Sequence, residues 1–246
     1  MTAVDSFVQI ASPSLAHANG HVTPAFELKF LVDPATAASV TQWACSQLRP
    51  DPHGLPALGG AYETTSLYSD TAAMDVFQRA PSYRRRKFRI RRYGKEALAY
   101  LERKAKSGTK VTKRRTLVEL SEISRLSSPT TDSNWDGDWF HRSLLLRRLM
   151  PACLVSYQRL AYFSMNGSMP MRLTIDRALR GQLTSDWRLD TDDKAVPLMQ
   201  DHMILELKFH SSMPALFKGL VEELGLTPQP VSKYRLCRSA WETANA

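Results

Sequence analysis

Charged and apolar side chains alternate in three short segments, and the charges are of the kinds that hold phosphate and metal. Phe26-Glu27-Leu28-Lys29-Phe30, Lys87-Phe88-Arg89-Ile90-Arg91 and Leu205-Glu206-Leu207-Lys208-Phe209 share the pattern. Successive strand side chains point to opposite faces, so each segment has one apolar face and one charged face. Arginine offers phosphate a two-pronged planar donor and lysine a point charge. Glutamate supplies the hard oxygen that Mg²⁺ or Mn²⁺ takes. Three further segments behave alike: Tyr100, Glu102, Lys104 and Lys106 share a face, as do Tyr157 and Arg159, and Arg172, Thr174 and Asp176. Polar alternation ordinarily marks the solvated side of an antiparallel sheet. Such a side mixes Ser, Thr, Gln and Lys, whereas these faces repeat Arg, Lys and Glu. Six strands of one chemistry favour a closed sheet lined with cations and a few carboxylates, suited to a polyanion and a metal ion.

The elements that must position these faces can be read around them. Asp33-Pro34 starts a helix, a capping carboxylate followed by proline at the first helical position, and the helix runs to about residue 49. Residues 51–61, rich in Pro and Gly, form a loop, and 62–70 alternate as a strand. Two strands within 87–106 turn near Gly94, and Ser107-Gly108 marks the next turn. Residues 121–137 read as a polar, mobile connection and 140–149 as a short helix. Strands return at 154–162, 171–177 and 203–209, with 181–202 an irregular connection between the last two. Leu216, Phe217, Leu220, Val221 and Leu224 sit at helical spacing within 212–224, and Gly225 ends that helix. Residues 231–234 read as a short tail.

With 43% hydrophobic residues the 246-residue chain can bury a full core and is no disordered polybasic tail. No apolar run approaches the roughly 18 to 20 residues of a membrane span. Residues 1–24 lack the basic start and apolar core of a secretory signal and read as a flexible arm. Cys45, Cys153 and Cys237 are too few and too far apart for a disulfide framework or a zinc site, which points to a reducing, cytoplasmic setting. Net charge is +9, and its distribution matters more. Between Arg84 and Arg115 stand 15 Lys or Arg against 2 Glu, leaving 18 basic and 22 acidic residues elsewhere. Strand-forming residues (Phe88, Ile90, Tyr93, Tyr100, Leu101) interrupt that stretch, and no zinc-finger or RNP motif or aromatic platform is evident, so nucleic acid is not the expected partner. Arg84, Arg85 and Arg86 precede the strand and read as solvated, and the six histidines show no catalytic pattern.

Eight pieces in order carry a resemblance: Phe26-Glu27-Leu28-Lys29-Phe30, Tyr62-x-Thr-x-Ser-x-Tyr68-x-Asp70, Lys87-Phe-Arg-Ile-Arg91-x-Tyr93, Leu101-Glu-Arg-Lys104, Tyr157-x-Arg159, Arg172-Leu-Thr-Ile-Asp176, Leu205-Glu-Leu-Lys208 and Ser232-Lys-Tyr234. Together they resemble the VTC domain, the polyphosphate polymerase branch of the triphosphate tunnel metalloenzymes. The resemblance implies an α+β fold with an eight-stranded antiparallel β tunnel, lined with basic residues and with helices packed outside. One domain over 25–238 would lie between the arm and a tail at 239–246. The implied activity is synthesis of polyphosphate from ATP, with a divalent metal, Mn²⁺ or Mg²⁺, in the tunnel. Carried over by position, Lys29, Arg89, Arg91, Lys104, Arg159, Arg172, Lys208 and Lys233 bind phosphates, with Arg89, Arg91, Lys104, Arg159 and Lys208 as the catalytic set. Glu206 is the implied metal ligand, and Tyr157 and Ser232 add hydrogen bonds. Glu102 is either a second ligand or a salt-bridge partner. The wider superfamily opens with Glu-x-Glu-x-Lys, and Ala25 replaces the first of those glutamates here, which counts against a triphosphatase. Two alternatives stay open: a triphosphate or polyphosphate hydrolase on the same fold, and a non-catalytic polyphosphate-binding module serving a membrane-protein partner.

Overall fold

A computed structural model describes residues 25–107, 110–164, 170–191, 194–210 and 212–244. The flexible arm expected at 1–24 lies outside the described residues. In chain order the elements are β1 (Ala25–Val32), α1 (Pro34–Gln47), β2 (Arg49–Pro50), β3 (Tyr62–Asp70), β4 (Arg86–Tyr93), β5 (Leu98–Ser107), β6 (Lys110–Glu119), α2 (Asp138–Leu146), β7 (Met150–Ser164), β8 (Met171–Leu183), β9 (Val196–Pro197), β10 (Met203–His210), α3 (Ala215–Glu223) and α4 (Lys233–Ala244). Eight long strands follow the path β1-β10-β8-β7-β3-β4-β5-β6, antiparallel throughout, with β2 and β9 appended to β7 and β8.

The result is the expected α+β, tunnel-like architecture with one amendment. Among the described residues no β1–β6 pairing closes the ladder. The sheet curls instead, until Lys104 Nζ on β5 lies 3.4 Å from Glu27 Oε2 on β1 across the concave side. A charge contact, not a backbone ladder, links the edge strand β1 to β5, one strand in from the other edge.

Alternation decides which side chains go where. The convex face of β1, β8 and β10 carries Phe30, Leu173, Leu205 and Leu207, packed under Val40 and Ala44 of α1 and Phe217 and Leu220 of α3. The convex face of β3, β4 and β5 carries Leu67, Ile90 and Leu101 under Phe140 and Leu144 of α2. Asp33 caps α1 as expected, its carboxylate accepting from Thr36 N–H at 2.8 Å. Gly94 (φ 51°) and Gly225 (φ 59°) take the left-handed backbone that ends β4 and α3.

Several expectations needed correction. Residues 121–137 are not a loose connection: a 3-10 helix over Leu120–Ser127, opened by a Glu119–Glu122 capping box, buries Ile123 and Leu126 beside Trp135. The stretch read as irregular from 181 contains the end of β8 and the short β9. The residues read as a tail begin α4, which runs through the boundary expected at 238. This helix also departs from "helices packed outside". Tyr234 and Cys237 pack on Cys153, Val155, Tyr157, Leu179 and Ile204, most of which share the concave face, so α4 stops one end of the tunnel. A bulge opposite Ser156–Gln158, with Ala178 at φ 51°, turns Leu179 inward to meet it. No helix among the described residues is long and apolar enough to cross a membrane.

Candidate functional site

The register places the charged faces side by side. On one wall Glu27 of β1 opposes Lys208 of β10, Lys29 opposes Glu206, and Arg159 of β7 opposes Asp176 of β8. On the other wall Arg89 of β4 opposes Glu102 of β5, which opposes Arg115 of β6, and Lys104 opposes Lys113. β3 lies between, bringing Ser66 opposite Arg91 and Thr64 opposite both Tyr93 and Tyr157.

Two carboxylates organise the first wall. Glu206, 4% exposed, has Lys29 Nζ at 3.1 Å, Lys208 Nζ at 3.2 Å, Lys233 Nζ at 3.6 Å and Arg159 Nη2 at 3.9 Å. Burial pushes its carboxyl up, but Lys208, Lys233, Lys29 and Arg159 outweigh it and hold the group well below the ordinary carboxylate range. Asp176, fully buried, takes both prongs of Arg159 at 2.6 and 2.7 Å and Lys233 at 2.6 Å. Lys233 is the first residue of α4, so the stopper helix delivers a cation to the centre of the site. Glu27 reaches Lys29 at 3.1 Å, Lys104 at 3.4 Å and Lys208 at 3.9 Å. Against the upward push of burial, these lysines, Lys208 foremost, bring its carboxyl down to about 2.

The opposite wall is centred on Glu102, 3% exposed, with Arg89 at 2.6 Å, Lys113 at 3.1 Å and Arg115 at 3.2 Å. Glu102 is therefore a salt-bridge partner in this structure. Arg91, 5% exposed, has no carboxylate within ion-pair reach among the described residues; its Nε donates to Ser66 Oγ at 3.1 Å. Tyr157 lies between the walls, its ring 4.7 Å from Lys233 Nζ and 5.3 Å from the Arg159 guanidinium. Its hydroxyl, and those of Thr64 and Thr174, are buried without a hydrogen-bond partner. Uncompensated buried hydroxyls are costly, and all three share the face of the cations.

The implied site residues thus fall into a centre and a margin. Arg89, Arg91, Arg159, Lys29, Lys208, Lys233, Tyr157 and Glu206 converge. Lys104 is half out of the site at 54% side-chain exposure. Arg172 turns to Tyr62 Oη at 3.1 Å and Asp51 at 3.4 Å. Ser232 stands just before α4, its carbonyl accepting from Leu236 N–H at 2.9 Å. Arg84, Arg85 and Arg86 are exposed.

Two further members, ambiguous in the sequence, stand on β6. Lys113 and Arg115 obey the same alternation, but Arg114 between them hides it; Arg114 faces outward and stacks on Trp139 at 4.2 Å. An aromatic row is also present, contrary to expectation. Tyr93 packs edge-on to Tyr62 at 5.8 Å and to Tyr100 at 5.7 Å, and Arg115 lies 3.3 Å over the Tyr100 ring. Burial raises the Tyr93 phenol, but Arg91 and Arg115 outweigh it and lower the group to about 7, with Arg115 Nη2 donating to its oxygen at 3.3 Å.

Among the described residues no three His, Cys, Asp or Glu side chains form a ready-made metal cage. Glu206 and Glu27 are joined through Lys29, whose Nζ lies 3.1 Å from an oxygen of each. Mg²⁺ commonly uses one or two carboxylates and takes its other ligands from substrate phosphates and water, and that donor set fits this pair.

The family model described as "VTC domain" matches residues 25–241. No curated protein matches the sequence. Among solved structures, a candidate adenylate cyclase of Bacillus halodurans superposes with a TM-score of 0.50 at 14% identity, covering 84% of this chain and 92% of its own. A candidate adenylyl cyclase of Hippeastrum, for which a dominant triphosphatase activity is described, superposes with a TM-score of 0.50 at 16% identity, covering 87% and 95%. At these identities the likeness shows the fold.

Proposed function

The chain belongs to the VTC-domain family of the triphosphate tunnel metalloenzymes, and we propose that it is a polyphosphate polymerase that transfers the γ-phosphate of ATP to a growing phosphate chain. The observation that supports this most is the excess of cations over carboxylates on one concave face: Lys29, Arg89, Arg91, Lys113, Arg115, Arg159, Lys208 and Lys233 stand against Glu27, Glu102, Asp176 and Glu206, and Arg91 lacks any carboxylate partner within reach among the described residues. Phosphoryl transfer asks the protein for position and charge, not covalent chemistry. The terminal phosphate oxygen of the chain attacks the γ-phosphorus and forms a new anhydride bond, the bond from the γ-phosphorus to the β–γ bridging oxygen breaks, and ADP leaves carrying the bridging oxygen. No side-chain nucleophile is required.

In this reading Arg89, Arg91, Arg159, Lys208 and Lys104 stabilise the charge that spreads over the transferred group. Lys29, Arg172 and Lys233 grip flanking phosphates, and Tyr157 and Ser232 donate hydrogen bonds. Charges held in place in a partly dry site act more strongly than in water. Glu206 would hold a divalent ion, with Glu27 beside it; the ion supplies neutralisation of phosphate oxygens. Cys45, Cys153 and Cys237 are free thiols, in keeping with the cytoplasmic setting proposed.

Hydrolysis is the second reading, favoured by the triphosphatase activity described for the Hippeastrum protein; Ala25, in place of a superfamily glutamate, weighs against it. Product analysis separates the readings. Incubated with ATP and Mn²⁺, the polymerase yields ADP and long chains that run as a ladder on a gel. Inorganic phosphate with no chains would support hydrolysis, and untouched ATP would support a binding module.

A further inference from the structure

We propose that Glu27 and Glu206 are internal stand-ins for substrate phosphate. They hold Lys29 and Lys208 until a triphosphate draws those lysines away and leaves both carboxylates to the divalent ion arriving with it. This rests on reading the concave face as a triphosphate site. Lys29 Nζ lies 3.1 Å from Glu27 Oε1 and 3.1 Å from Glu206 Oε1. Lys208 Nζ lies 3.2 Å from Glu206 Oε2 and 3.9 Å from Glu27 Oε2. Both ammonium groups span the same two carboxylates, where a divalent ion would sit.

Movable and fixed cations are segregated here. Lys29 and Lys208 are 26% and 28% exposed and carry flexible four-carbon stems, so they can swing without unpacking the core. The side chains of Lys233 and Arg159 are 7% and 5% exposed and are tied at 2.6 Å to Asp176, a separate carboxylate. A bare divalent ion meets two carboxylates already neutralised, with Lys233 and Arg159 behind Glu206 at 3.6 and 3.9 Å. Like charges at that range repel it. A triphosphate reverses the balance, because its own negative charge competes for the lysines. Metal and triphosphate therefore help each other to bind, and by linkage the help is mutual. The carboxylates cost metal-free triphosphate some affinity and return it once the ion is present.

The test measures binding, not turnover. Mn²⁺ uptake is followed by loss of the free-ion EPR signal, and tripolyphosphate binding by calorimetry in EDTA. Wild-type protein should take up little Mn²⁺ alone, and Lys29→Met should take it up at least ten-fold more tightly, having lost one of the two ammonium groups that span the carboxylates. Glu206→Gln and Glu27→Gln should bind metal-free tripolyphosphate at least three-fold more tightly than wild type. Glu27→Gln, at a carboxylate one-quarter exposed, keeps the test open if Glu206→Gln fails to fold. Wild-type Mn²⁺ uptake equal to that of Lys29→Met, or weaker metal-free tripolyphosphate binding by Glu27→Gln, overturns the inference while the site reading stands. If no variant and no wild-type sample binds tripolyphosphate with or without Mn²⁺, the site reading falls and takes the inference with it.

Discussion

Arg91 and Arg159 are 5% and 4% exposed, yet Arg159 is clamped by Asp176 while Arg91 meets a serine hydroxyl. Breaking a buried ion pair leaves an uncompensated charge and costs about 3–5 kcal/mol. Arg159→Ala should therefore lower thermal stability substantially. Arg91→Ala should lower the melting temperature less than Arg159→Ala does, and cost about 1.5–3 kcal/mol of tripolyphosphate affinity, the range for a hydrogen bond to a charged group. Melting curves beside calorimetric titrations check both, and a reversed pattern would show that the pairing does not divide the labour. Tyr93 gives a second residue-scale test. Its phenol ionises near 7 when folded, against an ordinary value of 10.0. A lowered folded value means that the stabilisation is full above the unfolded value and is lost as pH falls through the folded one. Stability should thus rise from about pH 7 towards pH 10, and phenolate absorbance should show one early titration that Tyr93→Phe removes. A Tyr93→Phe spectrum indistinguishable from wild type between pH 6 and 8 would refute it.

Among the elements, α4 joins the closed end of the tunnel to its charged centre. Gly181 on β8 lies beneath it: a Cβ there would meet Cys237 Sγ at 2.7 Å and Leu198 Cδ1 at 2.9 Å. Gly181→Ala should destabilise by about 1–3 kcal/mol, the usual penalty of overpacking. Because Lys233 rides on the same helix, phosphate affinity should fall with it. Undiminished stability and affinity would mean that α4 docks loosely. The helix was legible in principle, since Tyr234, Cys237 and Trp241 recur at helical spacing, but reading 231–234 as a tail stopped the search. The β1, β4, β5, β8 and β10 faces were plain because a period of two is written locally in the chain. β6 was not, since Lys113, Arg114 and Arg115 are all basic, and only packing shows that Trp139 covers Arg114. The buried 3-10 turn at 120–127 was hidden by its polar residues, because Ile123 and Leu126 give too short an apolar pattern to outweigh them.

At the scale of the molecule, the sequence carried the cations but not their pairing. Which cation meets which carboxylate depends on strand register and on the curl that carries Lys104 to Glu27 across 77 positions, and neither is encoded locally. That curl also separates an enclosed phosphate site from an open basic patch. A patch binds any polyanion through counterion release, so it accepts duplex DNA and loses affinity steeply with salt. On the reading proposed, the concave face admits linear triphosphate and excludes a duplex. The most direct measurement is displacement of a labelled ATP analogue at near-physiological salt. Tripolyphosphate should compete fully, while duplex DNA at equal phosphate concentration should leave the analogue bound. Equal competition by the two would contradict the account, placing the charged faces on open surface.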